Sequence, residues 1–494
     1  MNLPISATVD PPSINAQPAT PSRLPCLSKT KSWDHQTHGH SQIVGRDALY
    51  LNWDMGAGKS KPIVDYVCNE LPRLTLIICP KAVMDVWPHQ FDVHGWDSGD
   101  VRIELLNRGT TVAKASRLRS IASSSFSKGP GHLVRPTVIV TNYDSVWRKD
   151  LSNEIMRHQW DLVVLDEAHR IKNSMSKVGR FVARQLSKVA KKRVCLSGTI
   201  MPHSPLDAFN QIHFLDPNIF GYSFVQFRAR YAILAGPERK FVVGFQRREE
   251  LHKKIFTITD RIKKEDVLDL PPTSHEFRKV DLTPKVRKAY EELKNKMVTK
   301  VDEGVITASN ALSMLLRLQQ VTSGCVRFED DEVRRFGEEK QKALADLVSD
   351  LPPSDPVVVF CRFRSDLTSV ESVAKATGRK HFGLSGSSNT LKAWQGETVD
   401  EFEPAGIIGV QIQSGGLGID LTRARYCAFL SVGWSLGDYQ QALARLDRPG
   451  QTRKVEYFHI VARDTIDELL YKSLDKKVDV IQSVLEYVRG HGND

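Results

Sequence analysis

ALYLNWDMGAGKSKP, Ala48–Pro62, is the stretch that decides the fold. Its apolar start, Ala48–Asn52, has the character of a buried strand. Gly56 and Gly58, with Ala57 between them, then let the backbone curl so that N–H groups face phosphate oxygens. Lys59 is placed to reach β- and γ-phosphates, and the Ser60 hydroxyl to sit on magnesium. Pro62 falls in the first turn of the next helix, where its missing N–H is tolerated. The full pattern for such a loop has a glycine where Trp53 stands. Strand, glycine turn and helix in that order predict an α/β unit with an anion-binding loop at the end of its strand.

A second string, DEAH at Asp166–His169, follows another apolar run, Asp161–Leu165. At the C-terminal end of a strand, Asp166 would hold magnesium, directly or through water, and Glu167 would polarise an attacking water. An acidic strand end that merely keeps an edge soluble is the plain alternative, and the glycine loop argues against it. Together the two strings are the minimum set for holding a nucleoside triphosphate with magnesium and aiming a water at it.

The chain has 494 residues, 41% apolar and 8% aromatic, enough for roughly two to four domains with ordinary cores. Lysine and arginine number 69 against 58 acidic residues, a net charge of +11. That surplus favours a polyanionic partner, with a merely soluble basic surface as the bland reading. Seven cysteines are scattered at no metal-ligand spacing. Cys79, Cys195, Cys361 and Cys427 lie in apolar runs, which fits a reducing, intracellular setting. No stretch is long enough to cross a bilayer, and the N-terminus lacks a signal peptide's apolar core.

Residues 1–30, rich in Pro, Ser, Thr and Ala without periodicity, read as a disordered leader. Residues 31–214 read as a first α/β block, with strands at Ala48–Asn52, Thr75–Cys79, Thr137–Thr141, Asp161–Leu165 and Arg193–Leu196. In 215–341 charged and apolar positions mix at helical spacing, as in Val286–Val298 and Ala311–Val321, predicting a mostly helical protrusion or linker. Residues 342–464 read as a second α/β block. Its strands are Val357–Cys361, His381–Leu384, Ile407–Ile412, Tyr426–Leu430 and Val455–Ile460. Residues 465–494 read as one or two amphipathic helices.

In the second block, QALARLDRPGQ at Gln441–Gln451 places Arg445 and Arg448 three apart, on one face of a predicted helix. Arginines brought to a γ-phosphate from a second block stabilise transition-state charge. A solvated basic helix is the competing reading. QIQSGGLGIDL at Gln411–Leu421 is either a second phosphate-binding loop or a glycine-rich structural turn. SGT at Ser197–Thr199 ends another apolar strand, where hydroxyls could relay phosphate state or simply cap a helix.

In this order the residues resemble superfamily 2 helicase motors, and more narrowly the SWI/SNF-related double-stranded DNA translocases. The likeness runs from about Trp33 to Leu470. Its broad motifs are MGAGKS, CPKAVMDVW at Cys79–Trp87, TNYD at Thr141–Asp144, DEAH and SGT. The narrower stamp is DEAHRIKN through Asn173, KKEDVLDLPP at Lys263–Pro272, SGGLGIDLTRA at Ser414–Ala424, and the arginine string ending in PGQ. Members commonly carry proline after the SGT-like triplet, where this chain has Ile200.

The resemblance implies two RecA-like lobes with ATP and magnesium in the cleft between them, helical protrusions, and C-terminal brace helices. It implies that Lys59, Ser60, Asp166 and Glu167 are nucleotide and catalytic residues, and that Arg445 and Arg448 are arginine fingers. Gln36 would read adenine and Gln441 would line the cleft. Nucleic-acid contacts would fall at Lys81, Asn142, Lys172, Asn173, Arg362 and the loop from Ser414 and Gly415 to Gly418. The expectation is a DNA-dependent ATPase moving along duplex DNA, favoured as a monomer. A strand-separating helicase on DNA or RNA is the alternative, and a nucleotide-gated DNA-binding scaffold without hydrolysis a third reading.

Overall fold

The computed structural model describes residues 28–95, 101–124, 135–202, 204–235, 241–302, 308–327, 333–335, 337–398, 403–412 and 419–476. The first sheet is built from β1 (Ala48–Trp53), β2 (Leu74–Cys79), β3 (Arg102–Leu105), β4 (Thr137–Asn142), β5 (Trp160–Asp166) and β6 (Ala190–Leu196). Short antiparallel strands β7 (Ala232–Ala235) and β8 (Phe241–Phe245) stand apart from it, and β9 (Thr259–Ile262) completes it. Its order is β3-β4-β2-β5-β6-β1-β9, with every neighbour parallel. β2 (LTLIIC) and β4 (TVIVTN) are buried at every position, as strands covered by helices on both faces must be. One face packs Tyr50, Leu76, Ile78, Val163 and Leu165; the other packs Leu49, Leu51, Ile77 and Val164.

The second sheet contains β10 (Thr273–Val280), β13 (Val357–Cys361), β14 (His381–Leu384), β15 (Ile407–Gln411), β16 (Tyr426–Phe429) and β17 (Val455–Ala462). Its order is β10-β17-β16-β13-β15-β14, again all parallel. The separate strands β11 (Cys325–Arg327) and β12 (Val333–Arg335) form an antiparallel pair. Val358, Phe360 and Phe429 face one core, and Val359, Cys361 and Ile407 the other. The two RecA-like lobes expected from the motifs are thus both present.

The stretch 215–341 differs from its expected role as a mostly helical insert. It supplies β9 to the first sheet and β10 to the second, so the lobes meet within Lys263–Pro272. Both strands lie at sheet edges, and β10 (TSHEFRKV) is mostly polar, with only Phe277 and Val280 apolar. Edge strands need no continuous apolar run, so they escape a search for buried ones. β3 (RIEL), likewise an edge strand with charged positions, adds to the strands expected from apolar runs. Helices do follow, at Pro284–Asp302 and Ala308–Thr322. Val286, Tyr290, Leu315 and Leu318 pack with Ala462 and Ile466 of the second lobe.

The helix Ile466–Lys476 buries Leu470 and Leu474 against that lobe, while 477–494 lie outside the described residues. So do residues 1–27 of the expected leader. Ser28 and Thr30, at its end, are hydrogen-bonded to the body of the first lobe: Lys61 Nζ donates to Ser28 Oγ at 3.1 Å, and Thr30 Oγ1 lies 2.6 Å from His94 Nδ1. Cys68, Cys79, Cys195, Cys325, Cys361 and Cys427 are buried and not in disulfides. Among the described residues no helix is long and apolar enough to cross a membrane.

Candidate nucleotide cleft and nucleic-acid interface

β1 and β5 are separated only by β6, so the glycine loop, DEAH and SGT all emerge at the same C-terminal edge. Trp53 closes β1. Its ring is fully buried and its Nε1 donates to Asp260 Oδ2 at 2.8 Å, tying β1 to β9 where the fuller motif has glycine. Gly56 (φ +87°) and Gly58 (φ +72°) make the turn in a backbone region that side chains disfavour. Lys59 Nζ donates to the carbonyls of Trp53 and Asp54 at 3.0 and 3.1 Å. Ser60 opens the helix Ser60–Glu70 and its Oγ donates to Gln90 Oε1 at 2.6 Å.

The helix Asp34–Gly45 lies against the loop. His35 Nε2 is 2.9 Å from the Ala57 carbonyl. Gln36 is buried, accepts from the Trp33 N–H at 3.0 Å, and donates to the Gly58 carbonyl at 3.4 Å. Gln36 therefore buttresses the glycine turn, a use that its sequence position did not announce. Below it, buried Lys61 pairs with buried Asp65, and Ser32 donates to Asp65 Oδ2 at 2.8 Å.

Asp166 ends β5, accepting from Trp87 Nε1 at 3.2 Å. Burial, reinforced by the charge of Glu167, pushes the Asp166 carboxyl up to about 7. Glu167 sits in the left-handed region (φ +54°), a strained backbone of the sort found at functional sites. Burial opposes its ionisation, but the hydrogen bond and charge of His169, with Lys59 and Arg445, hold its carboxyl below the usual value. His169 Nδ1 lies 3.3 Å from Glu167 Oε2 and 3.1 Å from Ser197 Oγ. Burial lowers the Lys59 ammonium, partly offset by Glu167, Asp166 and Asp54.

The second lobe meets this edge directly. Gln441 Nε2 donates to Glu167 Oε1 at 3.4 Å, and Thr199 Oγ1 donates to the neighbouring Gln440 at 3.4 Å. A methyl built on Gly56 would lie 3.5 Å from Arg448 Cβ and 3.7 Å from Pro449 Cδ. Burial, then repulsion from Arg448, lowers Arg445 to about 10 against the pull of Glu167, Asp420 and Asp166. Arg448 donates to the Ile419 carbonyl at 3.2 Å, and its buried Nε has no partner among the described residues. The helix ends at Leu443, so both arginines occupy the turn beyond it rather than one helical face. Past the arginines, Gly450 turns the chain in the left-handed region (φ +102°).

The expected nucleic-acid residues divide. Lys81 is exposed beside β2, and Asn173 is exposed with its Oδ1 accepting from the Met175 N–H at 2.9 Å. Lys172 is half-buried; burial lowers its ammonium, while Asp207 of its own lobe and Asp438 of the facing lobe raise it. Asn142 is buried and caps the next helix, accepting from Ser145 N–H at 2.9 Å, so its side chain is spent internally. Arg362 Nη1 donates to Gln319 Oε1 at 2.5 Å, and its own N–H donates to Ser431 Oγ at 2.8 Å, which binds it within the second lobe. Ser414 and Gly415, with the loop to Gly418, lie outside the described residues. Trp87, His169 and Gln440 contact the cleft without having been singled out. Each stands within or beside a quoted motif, which was the available signal.

Residues 26–325 match the SNF2-related domain. The chain belongs to the SNF2-related family. Residues 339–450 match the helicase conserved C-terminal domain, so the family member carries both halves of an ATP-using superfamily 2 motor. It is 24% identical to protein p41 of Acyrthosiphon pisum secondary endosymbiont phage 1, over 93% of this chain and 98% of that one. It is 23% identical to the ISWI chromatin-remodeling complex ATPase ISW2 of Saccharomyces cerevisiae, over 92% of this chain but 41% of the yeast protein. It is 26% identical to the TATA-binding protein-associated factor BTAF1 of Arabidopsis thaliana, over 87% of this chain and 24% of that protein. The SNF2-related chain thus spans nearly all of the phage relative but well under half of these two eukaryotic ones. The Sulfolobus solfataricus SWI2/SNF2 ATPase core in complex with dsDNA aligns over 94% of this chain and 95% of its own, with TM-score 0.42 and 21% identity.

Proposed function

We propose that this SNF2-related chain hydrolyses ATP in the cleft between its lobes and uses the cycle to move along double-stranded DNA. The observation that carries the proposal is the convergence on one crevice of Lys59 and Asp166–Glu167 from the first lobe with Gln441, Arg445 and Arg448 from the second. In this reading Gly56, Ala57, Gly58 and Lys59 hold the phosphates, and Gln36 lies on the side where the base would enter. Glu167, kept ionised by His169, orients and deprotonates the attacking water. Arg445 and Arg448 stabilise charge on the transferring phosphoryl group, a contribution on the order of 10³–10⁵ in rate for such arginines. They come from the opposite lobe, so turnover requires a closed cleft.

Magnesium suits the residues present. The Asp166 carboxyl, raised to about 7 by burial and a like charge, is one that a divalent cation would relieve. Among the described residues no cluster of three or more His, Cys, Asp or Glu side chains could hold a metal alone. A cation here would instead take one carboxylate and a hydroxyl together with phosphate oxygens and waters. Asp166 and Ser60 would hold it, and bound there it would neutralise phosphate charge.

Movement without strand separation rests on the family, on the net charge of +11, and on exposed Lys81 and Asn173 with half-buried Lys172. Gripping backbone phosphates alternately from two lobes gives binding that ignores sequence and weakens with salt. The test is ATP turnover measured side by side with no nucleic acid, single-stranded DNA, duplex DNA and RNA, followed by triplex displacement and duplex unwinding assays. Duplex-stimulated turnover with displacement and no unwinding is expected. Unwinding driven by a single-stranded DNA or RNA strand would replace the proposal with the helicase reading.

A further inference from the structure

KKEDVLDLPP, Lys263–Pro272, is the span between the last strand of the first sheet and the first strand of the second. Within it Lys264 touches both lobes. Its backbone N–H donates to Asp54 Oδ2 at 3.1 Å, and the Asp54 N–H donates back to the Ile262 carbonyl at 2.9 Å. Asp54 is also the residue whose carbonyl, with that of Trp53, receives Lys59 Nζ. On its other side the Lys264 ammonium pairs with the Asp447 carboxylate and donates to the Asp447 carbonyl. Asp447 stands between Arg445 and Arg448. The side chains of Lys264 and Asp447 are 18% and 23% exposed, so water screens the pair only in part. Asp54, Lys264 and Asp447 therefore form a cross-member running from the base of the glycine loop, through the linker, to the arginine turn.

We propose that Lys264 is a positioning residue that registers the Arg445–Arg448 turn against the glycine loop. This rests on the reading of those arginines as acting on the phosphates. The physical argument is geometric. A catalytic arginine misplaced by about 1 Å loses on the order of 10²-fold in rate, while a loop that floats between lobes gives no such precision. The lysine anchors one end of the turn to the backbone segment that already fixes Lys59. Its removal acts on the transition state more than on nucleotide affinity, because Lys264 contacts neither the glycine turn's N–H groups nor Lys59 itself.

The test compares Lys264→Met and Asp447→Asn, singly and together, with Lys264→Arg and the exchanged pair Lys264→Asp/Asp447→Lys. Nucleic-acid-stimulated kcat, KM for ATP and the thermal midpoint are read for each, with Arg445→Ala alongside. Each single variant is expected to lose about tenfold in kcat with KM within about twofold. The double variant should be no worse than either single one, and Lys264→Arg and the exchanged pair should recover most of the loss. Wild-type turnover in Lys264→Met beside an inactive Arg445→Ala overturns the inference and leaves the site reading standing. Wild-type turnover in Arg445→Ala overturns the site reading itself. Additive losses, or losses that follow a lowered thermal midpoint without recovery in the exchanged pair, reduce the contact to a structural one and also overturn the proposal.

Discussion

Gln441 Nε2 donates to Glu167 Oε1 at 3.4 Å, joining two residues 274 positions apart and built on different sheets. The contact holds one oxygen of the carboxylate that DEAH presents at the end of β5. The other oxygen, Oε2, faces His169 and Ser197 at 3.3 and 3.5 Å. Glu167 is thus contacted from both lobes at once.

Glu167→Gln should keep the shape of the site while removing the proposed base. Turnover is expected to fall on the order of 10²–10⁴-fold with ATP binding retained. Lys59→Ala should instead weaken binding of the nucleotide itself. Single-turnover hydrolysis and equilibrium binding of a fluorescent nucleotide separate the two, and near-normal hydrolysis by Glu167→Gln would place the base elsewhere.

Gln441→Ala should leave Glu167 ionised, since His169, Lys59 and Arg445 remain around it, yet release its second oxygen. The expected result is about a tenfold lower kcat with little change in KM. An unchanged kcat under saturating DNA would show that the interlobe hydrogen bond does not orient the carboxylate.

Asp65→Asn removes the partner of the buried Lys61 ammonium, which Ser28 and Ser32 contact but do not neutralise. Leaving one charge of a buried pair costs about 3–5 kcal/mol, while replacing both by apolar groups is often neutral. Urea unfolding should therefore show Asp65→Asn much less stable than Lys61→Met/Asp65→Leu. Equal stability of the two variants would mean that water reaches Lys61.

His459 of β17 is stacked between Phe277 and Phe429, with His275 Nδ1 at 3.1 Å. Burial, then the charge of His275, lowers it from 6.5 to about 3. A base depressed on folding contributes stability that is full above its unfolded value and is lost as pH falls from 6.5 toward 3. At pH 5 that loss is about 2 kcal/mol. His459→Phe should flatten the decline in unfolding midpoint between pH 7.5 and 5. An equally steep decline in the variant would assign the acid sensitivity to other groups.

The sequence by itself determined what was written locally. MGAGKS and DEAH follow apolar runs because a strand buried on both faces must be continuously apolar, and a phosphate loop must have glycines where φ is positive. β2, β4 and β13 were legible on that ground, as was the placing of Asp166 and Glu167 at the C-terminal end of a buried strand. What only the tertiary structure decided depends on neighbours that no local pattern encodes. β9 and β10 are edge strands with polar positions, so the junction between lobes was hidden inside a stretch that looked helical. Asn142 and Arg362 carry the right chemistry for phosphate, yet one caps a helix and the other is bound to Gln319. Arg445 and Arg448 read as one face of a helix, but the helix ends at Leu443 and the turn beyond it sets Arg448 beside Gly56 of the other lobe. A residue type limits what a side chain can do; which of those things it does is fixed by the groups that burial places within hydrogen-bonding distance of it.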